Sequence, residues 1–240
     1  MRIKKAVIPV AGLGTRFLPY TKAIPKEMLP IMDLPVIHFI VEEAVNSGIE
    51  EIIFITSKDK KSIEDYFTRN APLESMLRKK GKKECLRQLA RVPYGFKLSS
   101  VIQKTARGLG DAILHAEELV GSEDFAVFLP DDLIFAKKPV IGRMMEVYRK
   151  HGKPVLAVER VEKEKISSYG IIKPAAVGGR VHEVVDMVEK PALKDAFSDL
   201  GIVGRYILPP DIFGYIRKTN AGAIGEIQLT DALRMLMKEK

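Results

Sequence analysis

Short runs dense in valine and isoleucine alternate with stretches whose apolar residues recur at helical spacing, and this alternation constrains the fold more than any other feature of the chain. Ala6-Val7-Ile8-Pro9-Val10 reads as a first strand. Residues 35 to 47 then place Val36, Ile37, Ile40, Val41, Ala44 and Val45 on a helical repeat, with Gly48 as a stop. Glu51 to Thr56 is the next strand; 60 to 69 and 72 to 91 predict helices, Leu98 to Gln103 a strand, and 110 to 120 a helix. Asp124 to Leu129 reads as a buried strand ending at Pro130, followed by a helix over 139 to 151 and a strand from Pro154 to Glu159. This rhythm predicts an α/β fold with a doubly wound, mostly parallel (mixed) sheet flanked by helices, whose ligands bind beyond the carboxyl ends of the strands.

The second half is less regular. Gly170 to Lys173 and Val181 to Glu189 predict strands joined through a Gly178-Gly179 turn, 201 to 208 another strand, and 227 to 239 a final helix. No repeat, low-complexity tract or linker interrupts it, so a single domain over 1–240 is expected. At 240 residues and 46% hydrophobic, such a chain can bury a core without disulfides. Its one cysteine, Cys85, fits a reducing compartment. No apolar run approaches a bilayer span. The N-terminal MRIKKAVIPVAG fails as a signal peptide, because Pro9 and a glycine-rich turn interrupt it. A cytoplasmic protein with no membrane partner is the expectation.

The net charge is +8, and it is concentrated: residues 58 to 107 hold 14 Lys/Arg against 5 Asp/Glu. A basic segment can meet a polyanion or simply form a solvated helical face near a phosphate site. RKKGKK at 78 to 83 has no interleaved aromatic residue, which disfavours nucleic acid as a partner. The histidines, 38, 115, 151 and 182, show no metal-ligand spacing.

The first strand runs into Ala11-Gly12-Leu13-Gly14-Thr15-Arg16. Backbone N–H groups of such a loop can close around an anion, although a Gly-x-Gly segment is equally a plain tight turn. It matches neither the dinucleotide fingerprint, since Phe17 takes the third glycine position, nor a P-loop. Pro25-Lys26-Glu27-Met28-Leu29-Pro30 follows, with prolines stiffening the segment around Lys26. Arg16 and Lys26 thereby set two cations beside the loop, as a triphosphate requires.

These two segments resemble the signature of sugar-1-phosphate nucleotidyltransferases, and within them the bacterial UTP–glucose-1-phosphate uridylyltransferases. The resemblance runs along nearly the whole chain: Gln103 with Gly108-Leu-Gly110, Leu129-Pro-Asp131, Tyr169-Gly170, Val188-Glu-Lys-Pro191, Ile202-Val-Gly-Arg-Tyr206 and Glu226-Ile-Gln-Leu-Thr-Asp231. It implies a Rossmann-like nucleotidyltransferase sheet, with a nucleotide-binding part over about 1–158 and a smaller sugar-phosphate lobe over about 159–240. Ala11, Gly12, Gly14, Thr15 and Arg16 would wrap the nucleotide, Lys26 would contact the triphosphate, and Glu27 would lie beside the nucleoside. Gln103, whose amide offers a donor and an acceptor, would read uracil with the backbone of Gly108. Asp131 would bind Mg²⁺, while Asp132 is either a supporting group or a turn residue. Gly170, Glu189, Lys190, Gly204 and Arg205 would form the sugar-phosphate site; without the resemblance Glu189 and Lys190 read as a surface ion pair.

The implied reaction joins UTP to glucose-1-phosphate, giving UDP-glucose and pyrophosphate. Arg16, Lys26, Asp131 and Lys190 would be the catalytic set, aligning two anions without a covalent protein nucleophile. The pattern departs from the family at Asp111, where relatives often carry His. The family also continues past the 226–231 motif with a strand, a second metal-binding Asp and a helix used in subunit contacts, whereas this sequence ends at Lys240. An active enzyme, with Asp132 or phosphate oxygens completing the metal shell, and a nucleotide-binding relative with little turnover both stay open. So do another nucleotide or sugar, and a homo-oligomer.

Overall fold

Strand β1 (Lys5–Pro9) lies inside the sheet, and its Ala6, Val7 and Ile8 are fully buried, as a strand covered on both faces requires. The computed structural model describes residues 2–175, 179–221 and 225–239. After the glycine-rich segment, the short hairpin of β2 (Pro30–Ile31) and β3 (Leu34–Pro35) turns the chain into helix α1 (Val36–Asn46). The helix buries Ile37, Ile40, Val41 and Ala44 along one stripe, and Gly48 closes it at a φ of 88°.

The alternation continues through β4 (Glu51–Thr56), α2 (Lys61–Phe67), α3 (Ala71–Lys79), α4 (Lys83–Leu89) and β5 (Lys97–Ile102). Next come α5 (Leu109–Leu114), α6 (Glu117–Val120), β6 (Phe125–Phe128), α7 (Val140–His151) and β7 (Val155–Arg160). The remaining elements are β8 (Gly170–Pro174), β9 (Val184–Glu189), β10 (Leu200–Leu208), α8 (Ile212–Lys218) and α9 (Leu229–Glu239).

Three elements differ from the sequence expectation. The helix predicted over 72–91 is two, broken at Gly81, which takes φ 65°; neither α3 nor α4 buries a residue, so no core contact holds them as one rod. The helix over 110–120 divides because its backbone tightens to i→i+3 bonds at His115 and Ala116. The strand predicted from Val181 starts at Val184, and the Gly178 half of the predicted turn lies outside the described residues.

β5, β4, β1 and β6 pair in parallel, in that order. Successive residues face opposite sides, which splits the core in two. Val7, Ile53, Phe125 and Val127 pack towards α5, α8 and α9; Ala6, Ile8, Phe54 and Phe128 pack towards α1 and α7. Beyond β6 the sheet turns antiparallel. β10 pairs with β6 through its last four residues, with β8 at Gly201, and with β7 along its other edge. All nine of its residues are buried, and it links the parallel strands to β7 and β8. The β7–β10 register shifts between Val203 and Tyr206, at Gly204-Arg205.

Candidate active site

Each parallel strand delivers a different group at its carboxyl end. Val10 extends β1 by one bond, its N–H donating to Ile55 O at 2.7 Å, and the glycine loop begins there. Gly14 takes φ 66°; a side chain there would press on Thr21 and Lys26, while the Thr21 hydroxyl holds the Gly14 carbonyl at 2.8 Å. At Gly12 a Cβ would meet nothing within 4 Å, so this stretch of backbone faces open space, as a phosphate cradle must.

Arg16 and Lys26 converge on Asp131, which follows β6. Lys26 Nζ stands 3.1 Å and an Arg16 nitrogen 3.7 Å from Asp131 Oδ2. Lys26 is mostly sheltered, whereas Arg16 is largely exposed. The adjoining Asp132 does a different job. Its Oδ2 accepts the Gly204 N–H at 2.9 Å, and partial burial followed by the charge of Asp131 pushes its carboxyl above the usual range.

Lys60, just past β4, lies beneath the glycine loop. Its Nζ donates to the carbonyls of Val10 and Gly12 (2.6 Å for Gly12) and to Glu27 Oε2 at 2.9 Å. Burial lowers its proton affinity, opposed by the charge of Glu27. Glu27 is 1% exposed, and its Oε1 has no hydrogen-bond partner. Glu27, expected beside the nucleoside, thus commits one carboxylate oxygen to a buried cation under the loop.

Gln103 extends β5, donating its N–H to Thr56 O at 2.8 Å, and its side chain is buried. Its Nε2 donates to Asp111 Oδ2 at 2.7 Å, while Arg107 bonds the other Asp111 oxygen at 2.9 Å. The next loop is seated by close backbone packing. Gly108 has φ 100°, and a Cβ there would lie 2.7 Å from Ile227 O. Gly110 N–H donates to that same carbonyl, and Ile227 N–H to Arg107 O. The Glu226–Asp231 motif, expected mainly as a helix start, thus also props the Gln103 loop.

On the antiparallel side of the sheet, Glu189 ends β9 with its Oε2 accepting from the Thr230 hydroxyl at 2.6 Å. Lys190 takes a left-handed φ of 43°, its N–H bound to Tyr169 O and its Nζ 3.7 Å from Glu189 Oε1. Gly170 sits against Glu189 and Thr230, where a Cβ would crowd both. Tyr206 lies on β10: burial, then the charges of Glu189, Asp132 and Asp131, push its phenol up. Gly204 has no room for a side chain, since a Cβ would fall 2.6 Å from Asp132 Oδ2, and its N–H serves that carboxylate.

Arg205 differs from its expectation. Its side chain is fully buried on the α1 face of the sheet, bonded to Glu43 Oε2 at 2.8 and 3.0 Å and lying 5.0 Å over the Phe128 ring. Strand alternation turns it away from the crevice, and the register shift beside it leaves Gly204 to face Asp132. No cluster of three or more His, Cys, Asp or Glu side chains suited to a metal occurs among the described residues. Asp131, half-exposed and beside the cations Arg16 and Lys26, still fits an ion that takes one or two carboxylates and completes its shell with other oxygens and water.

A family model described as nucleotidyl transferase matches residues 5–240. The chain belongs to that family. Among its nucleotidyl transferase relatives, the UTP–glucose-1-phosphate uridylyltransferase YngB of Bacillus subtilis (strain 168) is 48% identical over 239 residues, covering 100% of this chain and 80% of that protein. The UTP–glucose-1-phosphate uridylyltransferase of Staphylococcus epidermidis is 48% identical over 243 residues, covering 100% and 83%. Among solved structures, UDP-glucose pyrophosphorylase complexed with UDP-glucose superposes with a TM-score of 0.89 at 45% identity, covering 100% of this chain and 88% of that one. The UTP-bound UGPase from Acinetobacter baumannii gives 0.90 at 42%, covering 99% and 83%. Within this nucleotidyl transferase, sequence reasoning missed Lys60, the Asp111 contact to Gln103 and the Thr230 contact to Glu189. The position of Lys60 just past a strand end was the one available signal, hidden by the surrounding surface lysines.

Proposed function

We propose that this nucleotidyl transferase moves UMP from UTP to glucose-1-phosphate, releasing pyrophosphate and forming UDP-glucose. The observation that carries the reading is the convergence of Arg16 and Lys26 on Asp131 beside an open glycine loop. A phosphate oxygen of glucose-1-phosphate attacks the α-phosphorus of UTP in line. The bond to the bridging oxygen breaks, and pyrophosphate leaves with the electron pair. The loop amides and Lys26 hold the triphosphate, Arg16 follows the charge that develops on the leaving group, and Lys190 holds the sugar phosphate. Glu189, steadied by Thr230, accepts hydrogen bonds from sugar hydroxyls, and Gln103 reads the base. A Mg²⁺ ion held by Asp131 and phosphate oxygens would screen the charge between the two anions. The names of relatives at 48% identity support this donor and acceptor. The free Cys85 suits the reducing cytoplasm, where we place the reaction.

The test is pyrophosphate release from UTP, glucose-1-phosphate and Mg²⁺, with Asp131→Ala as control and with dTTP and galactose-1-phosphate as competing substrates. Release that depends on Asp131 and favours UTP with glucose-1-phosphate supports the reading. UTP binding without any release would leave a binding protein in its place.

A further inference from the structure

Asp111 departs from the His often found at this place in the resembling family, and the structure gives it a definite task. It is 1% exposed and touches the group proposed to read the base. Its Oδ1 is taken by Arg107 at 2.9 Å, and its Oδ2 lies 2.7 Å from Gln103 Nε2. Paired with a guanidinium, this carboxylate offers Gln103 only acceptors. The amide nitrogen must therefore face Asp111. Turning the amide over would set Oε1 against a carboxylate oxygen at the same short distance. No hydrogen bond to Gln103 Oε1 occurs among the described residues, which leaves that oxygen and the second Nε2–H for a ligand.

We infer that Asp111 is a specificity-determining positioning residue: by fixing which end of the Gln103 amide is donor and which is acceptor, it selects uracil over cytosine. The inference rests on the uridine-nucleotide reading proposed above. Uracil presents O4 as acceptor beside N3–H as donor; cytosine presents the reverse, an N4 donor beside an N3 acceptor. A primary amide free to rotate matches either edge, so Gln103 alone cannot tell the two bases apart. An amide pinned in one sense leaves cytosine with donor facing donor and acceptor facing acceptor.

The isosteric change Asp111→Asn makes a sharp test. Arg107 still donates to Oδ1, so the new Nδ2–H₂ faces Gln103 and draws Oε1 towards it. The amide turns over and its readout reverses. Asp111→Ser offers a hydroxyl that donates or accepts, so the amide is released without being reversed. We expect the UTP:CTP ratio of kcat/KM with glucose-1-phosphate to fall by about tenfold or more in Asp111→Asn, and less in Asp111→Ser, the scale of one buried base contact changing from paired to unpaired.

Gln103→Ala separates the two levels of the argument. If it erases the wild-type preference for UTP while both Asp111 variants keep it, Asp111 does not set the choice and the inference is overturned. If Gln103→Ala leaves the preference intact, base reading at Gln103 has itself failed, and the inference falls with it. A loss in the Asp111 variants that falls equally on UTP and CTP marks a merely structural role and also overturns it. Should Asp111→Asn fold poorly by thermal unfolding, the ratio in Asp111→Ser decides.

Discussion

Replacing Lys60 by Met keeps an unbranched stem of similar length and removes only the charged donor beneath the glycine loop. Three acceptors lose a partner: the carbonyls of Val10 and Gly12, and Glu27 Oε2. Glu27 is 1% exposed and already has one oxygen without a partner, so the variant buries a carboxylate with no cation beside it. Breaking a buried ion pair in this way costs about 3–5 kcal/mol. Against this stands the relief of the desolvation that Lys60 itself suffers, the first cause of its lowered proton affinity. A net loss of about 3 kcal/mol, or roughly 6–12 °C in Tm for a chain of this size, is the expected outcome. Adding Glu27→Gln to Lys60→Met removes the stranded charge and should restore about 1–2 kcal/mol. Urea unfolding followed by circular dichroism, with thermal melts alongside, measures both. A Lys60→Met protein within about 0.5 kcal/mol of wild type, or a double variant less stable than the single, would refute the reasoning. Weaker UTP binding should accompany the loss, because the carbonyls that shape the loop are no longer held.

Gly108→Ala drives a Cβ to 2.7 Å from Ile227 O at φ 100° and should cost about 2–4 kcal/mol in urea unfolding. Arg205→Met strands Glu43, which also accepts the Ile141 N–H, and should cost about 3 kcal/mol, largely recovered by Glu43→Gln in the same chain. The KM for glucose-1-phosphate should stay unchanged in the double variant; a large rise would return Arg205 to the sugar-phosphate site. The Arg234 guanidinium, bonded to Asp186 at 2.6 and 2.8 Å, holds that carboxyl below its usual range. A depressed carboxyl stabilises the fold above its unfolded value of 3.8, and the gain is lost as pH falls through the lower folded value. Asp186→Asn should therefore be less stable than wild type by about 1 kcal/mol at neutral pH, a gap that narrows in urea titrations only below that value.

The parallel half was legible because its strands are covered on both faces. Ala6–Ile8, Ile52–Ile55 and Phe125–Phe128 are unbroken apolar runs in sequence and fully buried in the structure. The glycine loop and Asp131 were legible as motif residues past strand ends, and Lys26 as a motif cation stiffened by Pro25 and Pro30. Arg205 was misread because its motif names a neighbourhood, while strand alternation and the register shift at Gly204-Arg205 decide which side of the sheet each residue faces. The ion pair of Glu27 was not legible for a similar reason: its partner, Lys60, lies 33 positions away in a run of surface lysines. The single helix read over 72–91 failed because its residues find no core to bury in, so a glycine at φ 65° decides the geometry.

The shared strand β10 also sets an order of events in biosynthesis. β1, β4, β5 and β6 are all present once residue 128 has left the ribosome, but the second partner of β6, on the edge away from β1, starts only at Leu200. Throughout the interval β6 offers an unpaired edge whose sequence, FAVF, carries no charge and no proline to blunt it. A nascent chain in this state is a template for pairing with its neighbours, so slow translation between these points favours aggregation and makes early chaperone capture valuable. Chains cut before Leu200 keep that edge permanently and should collect in the insoluble fraction, however well formed their glycine loop is.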